Sequence, residues 1–295
     1  FNASDFLERS RNGRIVFAGD SIGRNQWESL LCMLSKGVSN QSSIYEANGA
    51  PITKHKGYLS IIFQEFNLSV EYYRVPFIVP VGRPPPKSPE QVRAAVKLDK
   101  LHWLSEKWPG ADIYIFNGGH WWNKEKTIES GIYFEERGIV NMTMDCNEAF
   151  RRSMRTLKSW AKQKLDPLKS HIIFRSYSPV HYRNGTWDTG GTCRDSQEPE
   201  TSKKNLQADP LFNRYIQDVV TEMEASGRHV NFLNITYLSE FRMDGHPSIH
   251  REPLTPQPVV EDCSHWCLPG VPDIWNELLY SQLLSEDFRT TRNRG

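Results

Sequence analysis

Short apolar runs alternate along the chain with longer segments in which apolar residues recur every three or four positions. The short runs are typical of buried strands and fall at 14–19, 59–63, 68–73, 111–116, 171–175 and 230–233. The longer segments predict helices at 24–34, 147–164, 211–225 and 272–284. A polar turn between 59–63 and 68–73 predicts a hairpin.

The order of these elements predicts the fold class. Helices lie between most of the strands, which fits a mostly parallel central sheet covered by helices on both faces. We therefore predict a single α/β domain over residues 1–295. The connections at 184–204 and 244–258 lack periodicity, and long connections of this kind in a compact enzyme usually shape a binding surface.

Composition narrows the class of function. The net charge of +1 gives no electrostatic reason to expect binding to nucleic acid or to an anionic membrane. Every apolar run is shorter than the roughly 18–20 residues that a membrane-spanning helix needs. The chain opens at Phe1 without a secretory signal, so we interpret it as a trimmed or mature fragment. Its nine tryptophans suit either a carbohydrate groove or an aromatic core.

Sequons and cysteines indicate the compartment. The Asn-x-Ser/Thr pattern occurs six times, whereas chance would produce roughly two occurrences. This excess predicts a protein of the secretory pathway. The five cysteines form an odd number, which indicates a free thiol or a partner outside the chain. The acceptor residues are Asn2, Asn40, Asn67, Asn141, Asn184 and Asn234.

The tripeptide Gly19-Asp20-Ser21 contains the candidate nucleophile. It lies where a predicted strand ends and a helix begins, at the edge where open α/β sheets bind ligands. The first amides of that helix can stabilise an oxyanion, and Gly19 and Gly23 permit close backbone approach. An ordinary helix N-cap is the alternative, because Asp and Ser are both favoured there.

A serine nucleophile needs a base, and two D-x-x-H pairs are candidates. Asp262 and His265 lie in a loop rich in Cys and Trp, just before the last predicted helix. Asp99 and His102 lie in a Lys-rich stretch, where a solvated helical face is the simpler explanation. Residues three apart share one face of a helical turn, so the carboxylate of either pair can orient its own imidazole. Position favours Asp262 and His265.

Two further motifs carry chemistry. Asn117-Gly-Gly-His120 follows a predicted strand, where an Asn amide can donate to an oxyanion, although a glycine turn explains it too. His120 is more often a structural histidine than a catalyst. Cys263-x-His265-x-Cys267 resembles half of a zinc site, but it lacks a second pair of ligands, and a disulfide suits an oxidising compartment better. No metal is predicted.

Four blocks, in order along the chain, together resemble the plant trichome birefringence-like family of polysaccharide O-acetyltransferases, which is related to the GDSL/SGNH esterases. They are Phe17-Ala-Gly-Asp-Ser-Ile-Gly-Arg-Asn-Gln-Trp-Glu-Ser29, Phe116-Asn-Gly-Gly-His-Trp-Trp122, Phe174-Arg-Ser-Tyr-Ser-Pro-Val-His181 and Asp262-Cys-Ser-His-Trp-Cys-Leu-Pro-Gly270. The resemblance implies an SGNH-hydrolase-like fold and a catalytic triad of Ser21, His265 and Asp262.

The resemblance also implies the reaction and its setting. Acetyl would pass through an acetyl-serine to hydroxyls of xylan, mannan or pectin, with no bound cofactor. The donor is left open, with acetyl-CoA, used directly or indirectly, as one candidate. The enzyme would be a monomer in the Golgi lumen, held by a type II anchor and a Cys-rich segment upstream of this chain. An acetyl esterase with the same triad and a polysaccharide-binding protein without catalysis are the alternatives.

Individual residues follow from the matched blocks. Ser21, Gly23 and Asn117 are expected in the oxyanion hole. Cys193 and Cys263 are expected to form a disulfide, with Cys32 and Cys267 lacking upstream partners. The residues expected to line the groove are Arg24, Asn25, Gln26, His120, Trp121, Trp122, Arg175, Tyr177 and His181.

Overall fold

The apolar runs become strands in the computed structural model, which describes residues 1–53, 56–250 and 260–290. The strands are β1 (Arg14–Gly19), β2 (Ile44–Glu46), β3 (Tyr58–Phe63), β4 (Leu68–Arg74), β5 (Val81–Gly82), β6 (Ala94–Lys97), β7 (Ile113–Phe116), β8 (Ile132–Glu136), β9 (Ile139–Asn141), β10 (His171–Arg175) and β11 (Val230–Leu233). The helices are α1 (Ala3–Arg9), α2 (Ser21–Ser35), α3 (Cys146–Lys164), α4 (Leu211–Glu224), α5 (Thr236–Glu240) and α6 (Val271–Ser285).

The described residues form a central sheet of seven strands in the order β11-β10-β7-β1-β4-β3-β2. Five of these strands are parallel, and β3 returns antiparallel to β4 as the predicted hairpin. The predicted α/β class is thereby confirmed. A smaller sheet in the order β5-β6-β8-β9 was not predicted, because its strands are too short to show a clear period.

Helices cover both faces of the central sheet, as the sequence predicts. Helices α1, α2 and α6 pack on one face around Trp27 and Trp275, and α3 and α4 pack on the other around Phe150. The short helices α1 and α5 were not predicted, since neither is long enough for a helical period to be visible. In the part of the chain that is described, no helix is long and apolar enough to cross a bilayer.

The order of the parallel strands determines where the site lies. Their order is β4-β1-β7-β10-β11. The chain adds β4 on one side of β1 and then β7, β10 and β11 on the other side, so the strand order reverses between β1 and β7. Open α/β sheets bind ligands in the crevice that such a reversal leaves at the carboxyl ends of the strands. Ser21 follows β1 directly and Asn117 follows β7, so both lie at this crevice.

The two long predicted loops lie beside the crevice. The connection at 184–204 is closed at its base by an isolated bridge between Arg183 and Thr192. Within the connection predicted at 244–258, Ser248 forms a bridge to Asp262, while residues 251–258 lie outside the described part of the chain. The amide of Cys193, in loop 184–204, donates to Glu261, so this loop and the segment of Asp262 are close neighbours.

Candidate active site

Ser21 is the first residue of helix α2 and its side chain lies in the crevice. Asp20 is the N-cap of this helix, and its Oδ1 accepts a hydrogen bond from the amide of Ile22 at 2.9 Å. The N-cap explanation therefore applies to Asp20, and it leaves the Ser21 hydroxyl free to meet other groups. The positive end of the 15-residue helix lies beside that hydroxyl.

The three residues proposed for a triad come together. His265 Nε2 lies 2.7 Å from Ser21 Oγ, and His265 Nδ1 lies 2.9 Å from Asp262 Oδ2. Because a carboxylate only accepts, Nδ1 carries the imidazole proton and Nε2 accepts the hydrogen bond of the Ser21 hydroxyl. This is the arrangement in which an imidazole can take the serine proton during nucleophilic attack.

The other D-x-x-H pair has a different arrangement. Asp99 accepts a hydrogen bond from the amide of Arg137, and His102 Nδ1 accepts one from the amide of Leu104. Neither side chain lines the crevice that contains Ser21. Asp99 and His102 thus act locally, as a loop tie and a helix cap.

Hydrogen bonds keep Asp262 ionised. Its Oδ1 accepts from the amides of Ser264 and His265 at 3.2 and 3.0 Å. Burial raises the pKa of Asp262, but the hydrogen bonds from the imidazole of His265 and from the two amides outweigh burial and hold that pKa well below its usual range. The carboxylate is therefore available to orient His265 at any pH near neutrality.

Two buried side chains hold the backbone that carries His265. Asn25, on α2, donates to the carbonyl of Trp266 at 3.1 Å and accepts from its amide at 2.7 Å. His246 Nδ1 donates to the carbonyl of His265 at 2.6 Å. The helix of the nucleophile is thus tied directly to the segment of the base, which preserves their separation.

A second histidine supports His246 from behind. Burial lowers the pKa of His246 to about 4, so this imidazole is neutral near pH 7. With its Nδ1 proton donated to a carbonyl, its Nε2 accepts the Nδ1 proton of His181 at 2.7 Å. Sequence reasoning missed His246, because a single loop histidine carries no signal until its partners are known.

The disulfide implied for Cys193 and Cys263 is present, and it links loop 184–204 to the triad segment across a sequence separation of 70. Closing a loop of this length stabilises a fold by about 4 kcal/mol in the chain-entropy treatment. The disulfide also occupies one sulfur of the zinc alternative, and His265 of that motif faces Ser21 instead. The remaining cysteines, Cys32, Cys146 and Cys267, carry free thiols.

Glu261 reinforces the junction between loop 184–204 and the triad segment. Its buried carboxylate accepts hydrogen bonds at 2.6–3.0 Å from groups on both sides. Burial raises the pKa of Glu261, and the hydrogen bonds outweigh it and lower that pKa to about 2. The donors are Thr192, Cys193, Arg194 and Ser248.

We expect a Glu261→Gln variant to lose about 2 kcal/mol of unfolding free energy at pH 7, because charge-assisted hydrogen bonds are lost. The depressed pKa stabilises the folded state above the ordinary Glu pKa of 4.5, and this contribution disappears as pH falls from 4.5 towards 2. Urea denaturation at a series of pH values measures this. The variant should lose less stability than the wild type over that interval, and equal losses would contradict the assignment.

The crevice widens into a groove of about 730 Å³ beside Ser21 and His265. Four of the nine predicted groove residues line it. Tyr177 stacks on His120 with 4.3 Å between ring centroids, and His120 Nε2 donates to the carbonyl of Ser178 at 2.9 Å. The four are His120, Trp121, Tyr177 and His181.

The other five predicted groove residues lie behind the crevice, which corrects their expected role. Asn25 holds the triad segment, as described above. Gln26 bonds to Asn276, and Trp122 packs against Phe150 in the core. Arg24 and Arg175 are also buried and do not line the groove.

Those two arginines have internal partners. Arg24 pairs with Glu28 at 2.8 Å. Arg175 is fully buried, lies over the ring of Trp275 and donates to the carbonyl of Ile22 at 3.1 Å. Burial lowers the pKa of Arg175 to about 10, so its charge persists near neutrality behind the start of α2.

Two of the three residues expected in the oxyanion hole donate to Asp20. Asn117 Nδ2 and the Gly23 amide donate to Asp20 Oδ1 at 2.6 and 3.4 Å. An added Cβ on Gly19 or Gly23 would come within 1.9 Å of the Asn117 carboxamide, so these glycines admit that side chain. Of these three donors, only the amide of Ser21 has no hydrogen-bond acceptor among the described residues.

Asp20 is the electrostatic centre of this layer. Burial raises its pKa, and the opposing effects of His120, Arg175 and Asn117 outweigh burial and keep that pKa far below its usual range. His120 Nδ1 lies 3.5 Å from Asp20 Oδ2. A permanently ionised Asp20 therefore holds the first turn of α2 in the shape that presents Ser21.

Comparison with known proteins connects this geometry to a family. The profile of PC-Esterase, described as a GDSL/SGNH-like acyl-esterase family found in Pmr5 and Cas1p, matches residues 1–282. Protein trichome birefringence-like 9 of Arabidopsis thaliana is 61% identical over 290 residues, covering 98% of this chain and 70% of that protein.

More distant relatives match over the same length of this chain. Protein trichome birefringence-like 6 and Protein trichome birefringence, both of Arabidopsis thaliana, are each 38% identical and cover 96% of it. The chain spans 59% and 47% of these two relatives, respectively.

Proposed function

This chain belongs to the PC-esterase family of GDSL/SGNH-like acyl-esterases, and on that basis we propose that it is a polysaccharide O-acetyltransferase. The observation that carries the proposal is the contact of Ser21, at the start of α2, with His265, which in turn contacts Asp262. The proposed acceptor is a hydroxyl of a plant cell-wall polysaccharide, such as a xylan, a mannan or a pectin.

The first step makes an acetyl-enzyme. His265 Nε2 takes the proton of Ser21 as Oγ bonds to the carbonyl carbon of the donor. The negative charge that develops on the carbonyl oxygen is stabilised by the Ser21 amide and the positive end of α2. The intermediate collapses when the bond to the leaving group breaks, and that group takes the proton from His265.

The second step transfers the acetyl group. His265 takes the proton of a sugar hydroxyl, whose oxygen attacks the acetyl carbon and displaces Ser21 Oγ, which recovers its proton. Water can enter in the same way, so transfer prevails only where the groove positions the sugar better than water. The aromatic side chains of Trp121 and Tyr177 support a sugar-binding role for the groove.

The proposed setting is the Golgi lumen, with a type II anchor supplied from outside this chain. All six sequon asparagines are solvent-exposed, as glycosylation requires, and the disulfide suits an oxidising compartment. The proposed enzyme acts as a monomer without a resident cofactor or metal. Its donor is an activated acetyl group, from acetyl-CoA directly or through a carrier.

Intact-protein mass spectrometry tests this function. The protein is incubated with a small activated acetyl ester, with and without wall oligosaccharides. We expect an acetyl mass on Ser21 that moves to the sugar. Loss to water at one rate, whatever sugar is present, would identify an esterase. A folded protein that binds oligosaccharide but never forms the adduct would be a binding protein.

A further inference from the structure

Lys126 lies between two indole rings on the wall of the groove. Its ammonium is 5.1 Å from the ring centroid of Trp121 and 4.8 Å from that of Trp187. Trp121 belongs to the segment after β7, whereas Trp187 belongs to loop 184–204 and is 42% exposed. All three side chains line the groove that contains Ser21. Neither Lys126 nor Trp187 belongs to the sequence blocks that carry the family resemblance.

The ammonium of Lys126 has no ion-pair partner in the described part of the chain. Among the described residues, no carboxylate oxygen lies within 4.0 Å of it. Burial lowers the pKa of Lys126, and the more distant charges of Asp20, Glu125 and Asp188 act in the opposite direction. Indole faces attract a cation but do not replace the oxygen acceptors that its three N–H groups would bind in water. An oxygen-bearing anion is the natural complement.

Several carboxylates of the groove already have partners of their own. Glu200 accepts from the amide of Ser202 at 2.8 Å, and Glu240 accepts from the amide of Gln207 at 3.4 Å. Glu261 is saturated by the junction described above. By contrast, the exposed Arg183 lines the same groove, and its guanidinium donates to the sulfur of Met243 at 3.4 Å, with Glu200 as a more distant opposite charge. Among the described residues, neither Lys126 nor Arg183 has a carboxylate within ion-pair distance.

The lysine is held in place before any ligand arrives. Its amide donates to Asn123 Oδ1 at 2.9 Å, and Asn123 Nδ2 donates to the carbonyl of His120 at 3.1 Å. The loop that carries Trp187 is tied at its base by the disulfide of Cys193. A site whose parts are already ordered loses little conformational entropy on binding.

We propose that Lys126, with Trp121 and Trp187, binds the carboxylate of a uronic-acid residue in the polysaccharide acceptor. The indoles offer apolar surface to the C–H face of the sugar ring while the ammonium meets its carboxylate. This inference rests on the proposed function, because it names the acceptor class of that same groove. It makes an acidic polysaccharide the preferred acceptor of a nearly neutral protein.

Calorimetric titration of the wild type tests the charge without any substitution. The probes are an oligogalacturonate hexamer, its fully methyl-esterified form and xylohexaose. We expect the acid form to bind at least about tenfold more tightly than its ester, with an affinity that falls as salt rises. Equal affinity for the acid and the ester would overturn the proposal.

Substitution tests the residue. Lys126→Met keeps the aliphatic stem and should weaken binding of the oligogalacturonate by about tenfold, whereas Lys126→Arg should retain most of it. The matched control is Lys124→Met, at an exposed lysine outside the groove, which should bind as the wild type does. Equal losses at positions 124 and 126 would overturn the proposal. Inorganic pyrophosphate is titrated as a further probe, because it resembles the phosphates of a coenzyme A donor. If Lys126→Met weakened the binding of pyrophosphate alone, the lysine would serve the donor and the proposal would be overturned.

The acetyl adduct on the wild type separates the two ideas. Formation of acetyl-Ser21 without charge-dependent binding would leave the proposed enzyme in place and remove the uronate subsite. Charge-dependent binding that requires Lys126, without any acetyl adduct, would keep the uronate subsite and remove the proposed enzyme.

Discussion

A Ser21→Ala variant is expected to lose about 10⁶-fold in acetyl transfer, with no acetyl mass on the intact protein. The hydroxyl oxygen is the atom that bonds to the acetyl group, and its proton is the one that His265 Nε2 takes, since Nε2 lies 2.7 Å from Ser21 Oγ. The variant should fold normally, because the cap of α2 is the side chain of Asp20 and not that of Ser21. Single-turnover kinetics with the activated ester, combined with thermal melting, measure both effects.

Ser159→Ala provides the matched control. Ser159 is exposed on α3, and its hydroxyl only donates to the carbonyl of Arg155 in its own helix. Full activity is expected there. If Ser21→Ala kept more than about a tenth of the wild-type rate, another nucleophile would have to be sought. Oligosaccharide binding by the inactive variant should survive, since the groove is unchanged.

An Asp262→Asn variant is expected to lose about 10⁴-fold, for a different reason. The two backbone amides at Oδ1 require an oxygen there, so the new NH₂ group replaces Oδ2 and faces His265 Nδ1. An NH₂ group donates, so Nδ1 must accept and the imidazole proton moves to Nε2. That nitrogen then donates to Ser21 instead of accepting from it, and the base is lost although the geometry is kept.

Asp99→Asn is the control for this substitution. It belongs to the other D-x-x-H pair, and its carboxylate accepts only a backbone amide on the exposed surface. Its expected effect on the rate is less than about twofold. Comparable losses in Asp99→Asn and Asp262→Asn would show that the second pair, and not the first, orients the base.

The two substitutions also distinguish the layers of the site. In the proposed mechanism Ser21 and His265 exchange the proton, while Asp262 only sets which nitrogen of His265 carries it. Behind them, Asn25 and His246 hold the backbone on which His265 stands. In a preorganised site, we expect substitutions of Asn25 and His246 to lower the rate of acetyl transfer least and substitution of Ser21 to lower it most.

The regular elements of this fold could be predicted because their signals are local. The strands at 14–19, 171–175 and 230–233 match the structure residue for residue, since each is a short apolar run in a sheet that helices cover on both faces. The helix predicted at 24–34 begins earlier, at Ser21, because its polar first turn shows no apolar period. The strands of the small sheet, two to five residues long, gave no pattern to detect.

The roles of side chains were harder to predict, because membership in a motif does not state a direction. Asn25 and Gln26 are adjacent on α2, and neither points into the groove: one holds the triad segment and the other lies in the core. Asn117 has the right chemistry for an oxyanion, and the structure adds a partner that its motif does not indicate, the buried carboxylate of Asp20.

By itself, the sequence determined the fold class and the order of the principal elements, because these follow from local periodicity. Its long matched blocks also named Ser21, Asp262 and His265 as candidates for a triad. Only the tertiary structure decided which groups meet. His246 supports His265 from 19 residues away, and Lys126 meets Trp187 from a separate loop. Contacts of this kind depend on how the sheet and a disulfide bring distant segments together, and no local pattern records that.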